Sequence, residues 1–111
     1  MSRAFRLTRR AEASLVDIAF WAIENFGQIQ ADSYQAELIE RCEAIARGEA
    51  ASRSCAVLIE GSNSLGYARA GEHFLVFSEF EDEVIIVDIL HSRSDLPHHV
   101  SVLSALQNEE T

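Results

Sequence analysis

The chain has 111 residues, with 18 acids against nine bases and a formal net charge of −9. That length suits one domain with a real hydrophobic core. The acidic balance argues against a protein that grips nucleic-acid backbone over its whole surface. Apolar residues make up 48% of the chain, and their runs are too short to cross a bilayer. The opening M-S-R-A-F-R has no apolar stretch behind its basic residues. No secretory signal is therefore expected, and the cytoplasm is the expected compartment. All nine bases are arginine. Cys42 and Cys55 have neither a metal nor a redox spacing and read as small apolar fillers.

Residues 3–8 alternate loosely and suit a first strand, with Phe5 and Leu7 on one face. Arg3, Arg6, Arg9 and Arg10 form either a local basic patch or the solvated side of this strand and the next helix. Thr8 is placed to cap a helix over 9–26, with Ala11 at its third position. Leu15, Ile18, Ala19, Ala22 and Phe26 mark that helix's inner face. Val16, Phe20, Trp21 and Ile23 widen its apolar arc beyond what one sheet covers. Gly27 breaks it, and a second helix over 28–47 follows, with Ala31, Tyr34, Leu38, Cys42 and Ile45 inside. Arg47 and Gly48 suit its end. Two helices joined by so short a break should form an antiparallel hairpin.

Residues 49–64 read as a loop, with a short extended piece at 57–59. Strands are expected over 65–70 and 73–80, joined at Gly71-Glu72. Residues 83–95, E-V-I-I-V-D-I-L-H-S-R-S-D, begin with an apolar, largely β-branched run that needs cover on both faces, as a central strand has. The run ends in His91, Ser92, Arg93, Ser94 and Asp95. Pro97 should keep Leu96 out of a helix. The expected fold is α+β, ordered β-α-α-β-β-β, with a helical hairpin packed on a small, largely antiparallel sheet. The domain spans 1–111, with about 101–111 as a C-terminal tail.

Four strings carry a family resemblance: L-T-R-R-A-E-A-S-L-V-D-I (7–18), F-G-Q-I-Q-A-D-S-Y (26–34), L-G-Y-A-R-A-G-E-H-F-L-V-F (65–77) and I-L-H-S-R-S-D-L-P-H-H-V (89–100). In order and spacing they resemble the ParE toxins of the RelE/ParE superfamily. The resemblance implies a toxin of a type II toxin–antitoxin pair that inhibits DNA gyrase and is held silent by a ParD-like antitoxin. Contact with DNA is then expected only through the antitoxin, with no membrane and no cofactor. The unmatched apolar surface of the first helix agrees with a partner. Phe20, Trp21, Ile23, Leu96 and Val100 are the candidate antitoxin contacts. Arg69, His73, His91, Arg93 and Asp95 are the candidate target contacts. Related sequences often carry basic residues where this chain has Gly66 and Glu72, which weakens a cationic face.

The RelE branch of the superfamily cleaves mRNA, which needs an acid, a base and cations for phosphate. His91, Arg93, Arg69 and His73 are the candidates for such a site. Against it stand the absence of lysine and the acids Glu72, Glu79 and Asp88, expected nearby. The polar end of the central strand reads more simply as a hydrogen-bonded turn, with Arg93 and Asp95 paired or Asp95 capping the next segment. Binding is expected, not bond cleavage. His98 and His99 are expected to face solvent and not to hold metal.

Overall fold

The computed structural model describes residues 3–55 and 65–109, with side chains through 106. The extended piece expected at 57–59 lies outside the described residues. Strand β1 (Ala4–Leu7) passes through Thr8 into helix α1 (Arg9–Phe26). Thr8 does double duty. Its hydroxyl oxygen accepts from the Ala11 N–H at 3.1 Å, capping the helix as expected. Its O–H donates to the Val87 carbonyl at 2.6 Å, tying the cap to the sheet. Gly27 breaks the helices at φ +84°, and α2 (Gln28–Arg47) closes on Gly48 at φ +76°.

Strands β2 (Arg53–Ser54), β3 (Gly66–Ala70), β4 (His73–Glu79) and β5 (Glu83–His91) follow, then helix α3 (Leu96–Glu109). They form one five-stranded sheet in the order β1-β5-β4-β3-β2. The β1–β5 pair is parallel and the others antiparallel. The α+β architecture is as the sequence led us to expect, with β2 and α3 added. The apolar run of 83–90 is interior, as expected, although β4 holds the middle position.

Two cores result. On one face Leu15 and Ile18 of α1, with Leu38, Cys42 and Ile45 of α2, pack on Leu75, Phe77, Ile86 and Ile89. On the other, Leu96, Val100 and Leu103 of α3 pack on Val76, Val87 and Leu90. Burying a side chain of this size contributes roughly 1.5–3 kcal/mol. Where a tail is expected over about 101–111, helix α3 instead continues to Glu109, packed through Val100 and Leu103. Pro97 does not prevent it, because first-turn N–H groups have no intrahelical acceptor and a missing one costs nothing there. Asp95 starts the helix: its Oδ1 accepts from His98 N at 3.3 Å and its carbonyl from His99 N at 3.1 Å. Of the two roles expected for Asp95, capping is the one found. No Arg93–Asp95 ion pair occurs among the described residues.

Two of the four N-terminal arginines are engaged locally, while Arg9 and Arg10 are exposed at the start of α1. Arg3 donates to the Ala46 and Ile45 carbonyls at the end of α2 and bonds Glu79 at 3.0 Å. This places positive charge at the negative end of the helix dipole. Arg6 lies 3.4 Å from Glu83. Both cysteines are free and buried, and burial pushes their thiols up to about 12 for Cys42 and about 11 for Cys55, so both stay protonated and inert. Among the described residues no helix is long and apolar enough to cross a membrane.

Gly66 is fixed by packing. A Cβ there would stand 2.8 Å from Cζ of Phe77, which is buried. Gly66→Ala is expected to destabilise the fold by about 1–3 kcal/mol, as overpacked cores do. A fall in the urea midpoint at unchanged slope checks it.

Candidate functional site

The β4–β5 pairing sets His73 directly opposite His91, and the Ala70↔His73 pair closes the β3–β4 hairpin. Directly opposed residues share a face. His73 and His91 therefore lie under the helical hairpin, their ring centroids 5.0 Å apart. Trp21 of α1 meets both edge-on, at 5.1 Å from His73 and 5.4 Å from His91. Tyr34 of α2 completes the group.

The Tyr34 hydroxyl is a three-way junction. It accepts from the Glu72 N–H at 2.9 Å and stands 2.6 Å from His73 Nδ1 and 3.3 Å from the Ala70 carbonyl. The 2.6 Å contact is a hydrogen bond between the phenol and His73 Nδ1, its direction set by the histidine tautomer. Gly71, at φ +59°, allows this approach, since a Cβ there would fall 2.6 Å from the Tyr34 ring. Burial, with the neighbouring His91 adding to it, holds His73 down to about 4 from 6.5. At neutral pH it is an uncharged, hydrogen-bonded wall residue. Burial also raises the Tyr34 phenol.

Beyond His91 the chain makes the hydrogen-bonded turn expected of it. Ser92 N donates to the Glu72 carbonyl at 2.7 Å, and Ser94 N donates to the His91 carbonyl at 2.9 Å. Arg93 N donates to His91 Nδ1 at 3.0 Å. That bond leaves the proton of a neutral His91 on Nε2. A cleft of about 290 Å³ opens beside the group, lined by Ser14, Asp17, Trp21, His73, His91, Ser94 and His99 over a floor of Ile18, Ile89 and Leu90.

The nuclease constellation does not assemble. Arg69 pairs with Phe74, one position after His73, and so stands on the opposite face of the sheet from both histidines. Its guanidinium lies 5.7 Å over the Phe74 ring and its Nε bonds the Gly71 carbonyl. Arg93 is exposed in its turn and does not line the cleft. Glu79, expected nearby, sits at the far end of β4 with Arg3. Asp88 is buried beside the cleft, accepting from Ser14 Oγ at 2.6 Å. His98 and His99 are exposed, and no group of three potential metal ligands occurs among the described residues.

The candidate partner residues divide as well. Phe20 is 63% exposed and Ile23 38%, and Val16 joins them at 56%, forming an outward stripe on α1. Trp21 is half-buried on the flank facing the histidines. Leu96 and Val100 belong to the second core and present no free surface. Sequence reasoning puts them on a partner face because it does not foresee α3; the spacing of Leu96, Val100 and Leu103 is the available signal. Tyr34 reads in the sequence only as an inward residue, and its central hydroxyl depends on a turn 38 residues away.

A helical hairpin on one face of a β1-β5-β4-β3-β2 sheet is a fold this chain shares with a solved toxin–antitoxin structure. The structure is similar to one described as the chromosomal ParDE TA system from P. aeruginosa, at a TM-score of 0.65 and 16% identity over 81% of this chain and 96% of that one. It is also similar, at a TM-score of 0.47 and 16% identity, to the toxin–antitoxin complex RelBE2 from Mycobacterium tuberculosis, over 82% and 99% of the two chains. No curated protein matches the sequence. Residues 5–96 match the family described as ParE toxin of type II toxin-antitoxin system, parDE. The chain belongs to that family.

Two outcomes test the junction. Tyr34→Phe strands the Glu72 N–H and the His73 ring nitrogen, and is expected to cost about 1–3 kcal/mol by urea denaturation. The pH dependence has a defined sign. Unfolded His73 takes a proton near 6.5, whereas folded His73 stays neutral down to about 4. Its contribution is intact above the upper value and falls as pH drops toward the lower one, by at most about 1.4 kcal/mol per pH unit. Unfolding midpoints should therefore drop between about pH 7 and about pH 5 more steeply for the native chain than for His73→Gln.

Proposed function

We propose that this toxin arrests growth by binding DNA gyrase, without breaking a bond, and that a ParD-like antitoxin silences it. The observation that carries the non-catalytic reading is the state of the two histidines. His73 is buried, neutral and bonded to Tyr34, while His91 gives its Nδ1 to a backbone N–H. With Arg69 behind the sheet and Asp17 on the cleft wall, a phosphodiester would meet negative charge and no arginine. The gyrase target and the ParD-like partner rest on membership of the ParE family.

Among the proposed target contacts, Arg69 and Arg93 are the exposed cations at the turn end of the sheet. The Ser92–Glu72 bond holds their two turns together. His73 and His91 shape this end from within, and Asp95 acts as the cap of α3. For the antitoxin, the Val16–Phe20–Ile23 stripe suits an amphipathic helix laid along α1.

Induction without antitoxin should stop growth, leave mRNA intact and reduce gyrase supercoiling in the cell extract. Arg69→Ala with Arg93→Ala should restore supercoiling while the fold persists. Rapid mRNA cleavage with supercoiling unaffected would overturn the proposal.

A further inference from the structure

The cleft beside Trp21 is separate from the exposed turn cations and is lined for a positive charge. Asp17 and Trp21 lie one helical turn apart on α1, so the carboxylate sits next to the indole. Among the described residues no hydrogen bond or ion pair engages Asp17. Ser14 lines the cleft, and its hydroxyl gives its proton to the buried Asp88, so the oxygen keeps acceptor capacity. Trp21 and His91 are half-buried and offer aromatic surface. No arginine lines the walls, and the chain carries a formal charge of −9.

Size and position narrow the occupant. A volume of about 290 Å³ falls at the lower limit of small-molecule sites and suits one long side chain. Asp17 is also three residues from Phe20 and adjacent to Val16, so it stands between the cleft and the exposed apolar stripe. A helix seated on that stripe would carry a flanking residue directly over the cleft.

Resting on the antitoxin reading above, we infer that the cleft receives an arginine or lysine side chain of the antitoxin helix, paired with Asp17 and stacked on Trp21. The apolar stripe supplies area, and the cleft supplies register and selectivity for a basic flank.

Trp21 is the chain's single tryptophan, so its indole signal is assigned without ambiguity and comes from a wall of the cleft. The full-length protein, labelled with nitrogen-15, is titrated with N-acetyl-arginine amide and with its neutral citrulline counterpart. The arginine compound should move the Trp21 indole signal saturably, with a dissociation constant on the order of 1 mM. The citrulline compound and the Asp17→Asn variant should each bind about tenfold more weakly. Glu43→Gln, on the far helix, should leave the titration unchanged. Equal response to citrulline, or an unchanged Asp17→Asn, would overturn the assignment.

A second arm measures the affinity of the native toxin and of Asp17→Asn for a ParD-type antitoxin. Asp17→Asn should weaken that complex about tenfold, and tight binding by this variant would overturn the partner assignment even if the cleft takes the free cation. Failure of native toxin to form any complex would instead sink the antitoxin reading, and with it the partner named here. The titration would still decide the cleft's chemistry.

Discussion

The structure turns on one extra residue in β5. From His73↔His91 to Val76↔Asp88 the antiparallel register is regular, but Phe77 then pairs with Ile86, leaving Val87 without an opposite partner. The bulge shifts the alternation of the strand by one. Below it Val84 and Ile86 face the helical hairpin; above it Ile89 and His91 do, while Val87 and Leu90 face α3. An unbroken strand would have put Leu90 toward α1 and His91 toward α3. The bulge therefore brings His91 under Trp21, and it also presents the Val87 carbonyl to the Thr8 hydroxyl. Strand, helix cap and cleft are set by the same irregularity.

Given that placement, the polar groups at this end have few choices. A buried imidazole without a partner would be costly, and the Tyr34 hydroxyl supplies the bond at 2.6 Å. The same oxygen accepts the Glu72 N–H that the tight turn leaves free. Tyr34 thus fastens α2 to the β3–β4 turn, and Ser92 fastens that turn to the exit of β5. Groups that resemble catalytic equipment by residue type are here hydrogen-bonded closures between elements. Asp17 and Ser14 line the cleft beside them.

What could be read in the sequence was local. The Thr8 cap, the Gly27 break, the Gly48 stop and the apolar run of β5 all follow from short-range rules, and all are present. The separation of Arg69 from His73 was also within reach. A two-residue turn pairs Ala70 with His73, and that parity puts Arg69 on the other face. The bulge was not legible, because nothing in I-I-V-D-I marks which residue lacks a partner. Helix α3 was hidden by Pro97, whose usual effect as a helix breaker vanishes in a first turn. Without α3 in view, Leu96 and Val100 read as partner-surface residues, although they belong to the second core.

Gly66 and Glu72, the two positions expected to weaken a cationic face, have different explanations. At 66 the Phe77 ring excludes any side chain, so the missing cation is a consequence of how this core is filled. At 72 the backbone serves both Tyr34 and Ser92, while the side chain is exposed and adds charge to an already acidic end. Arg3, Arg6 and Arg47 are engaged by Glu79, Glu83 and Glu49. At the turn end, Arg69 and Arg93 stand among the described residues without an acidic partner. Exposed cations free of local pairing keep their field for something outside the chain. The molecule thus separates two chemistries within one end of its sheet: an acidic aromatic cleft on the α1 side, and two arginines held by the turns around it.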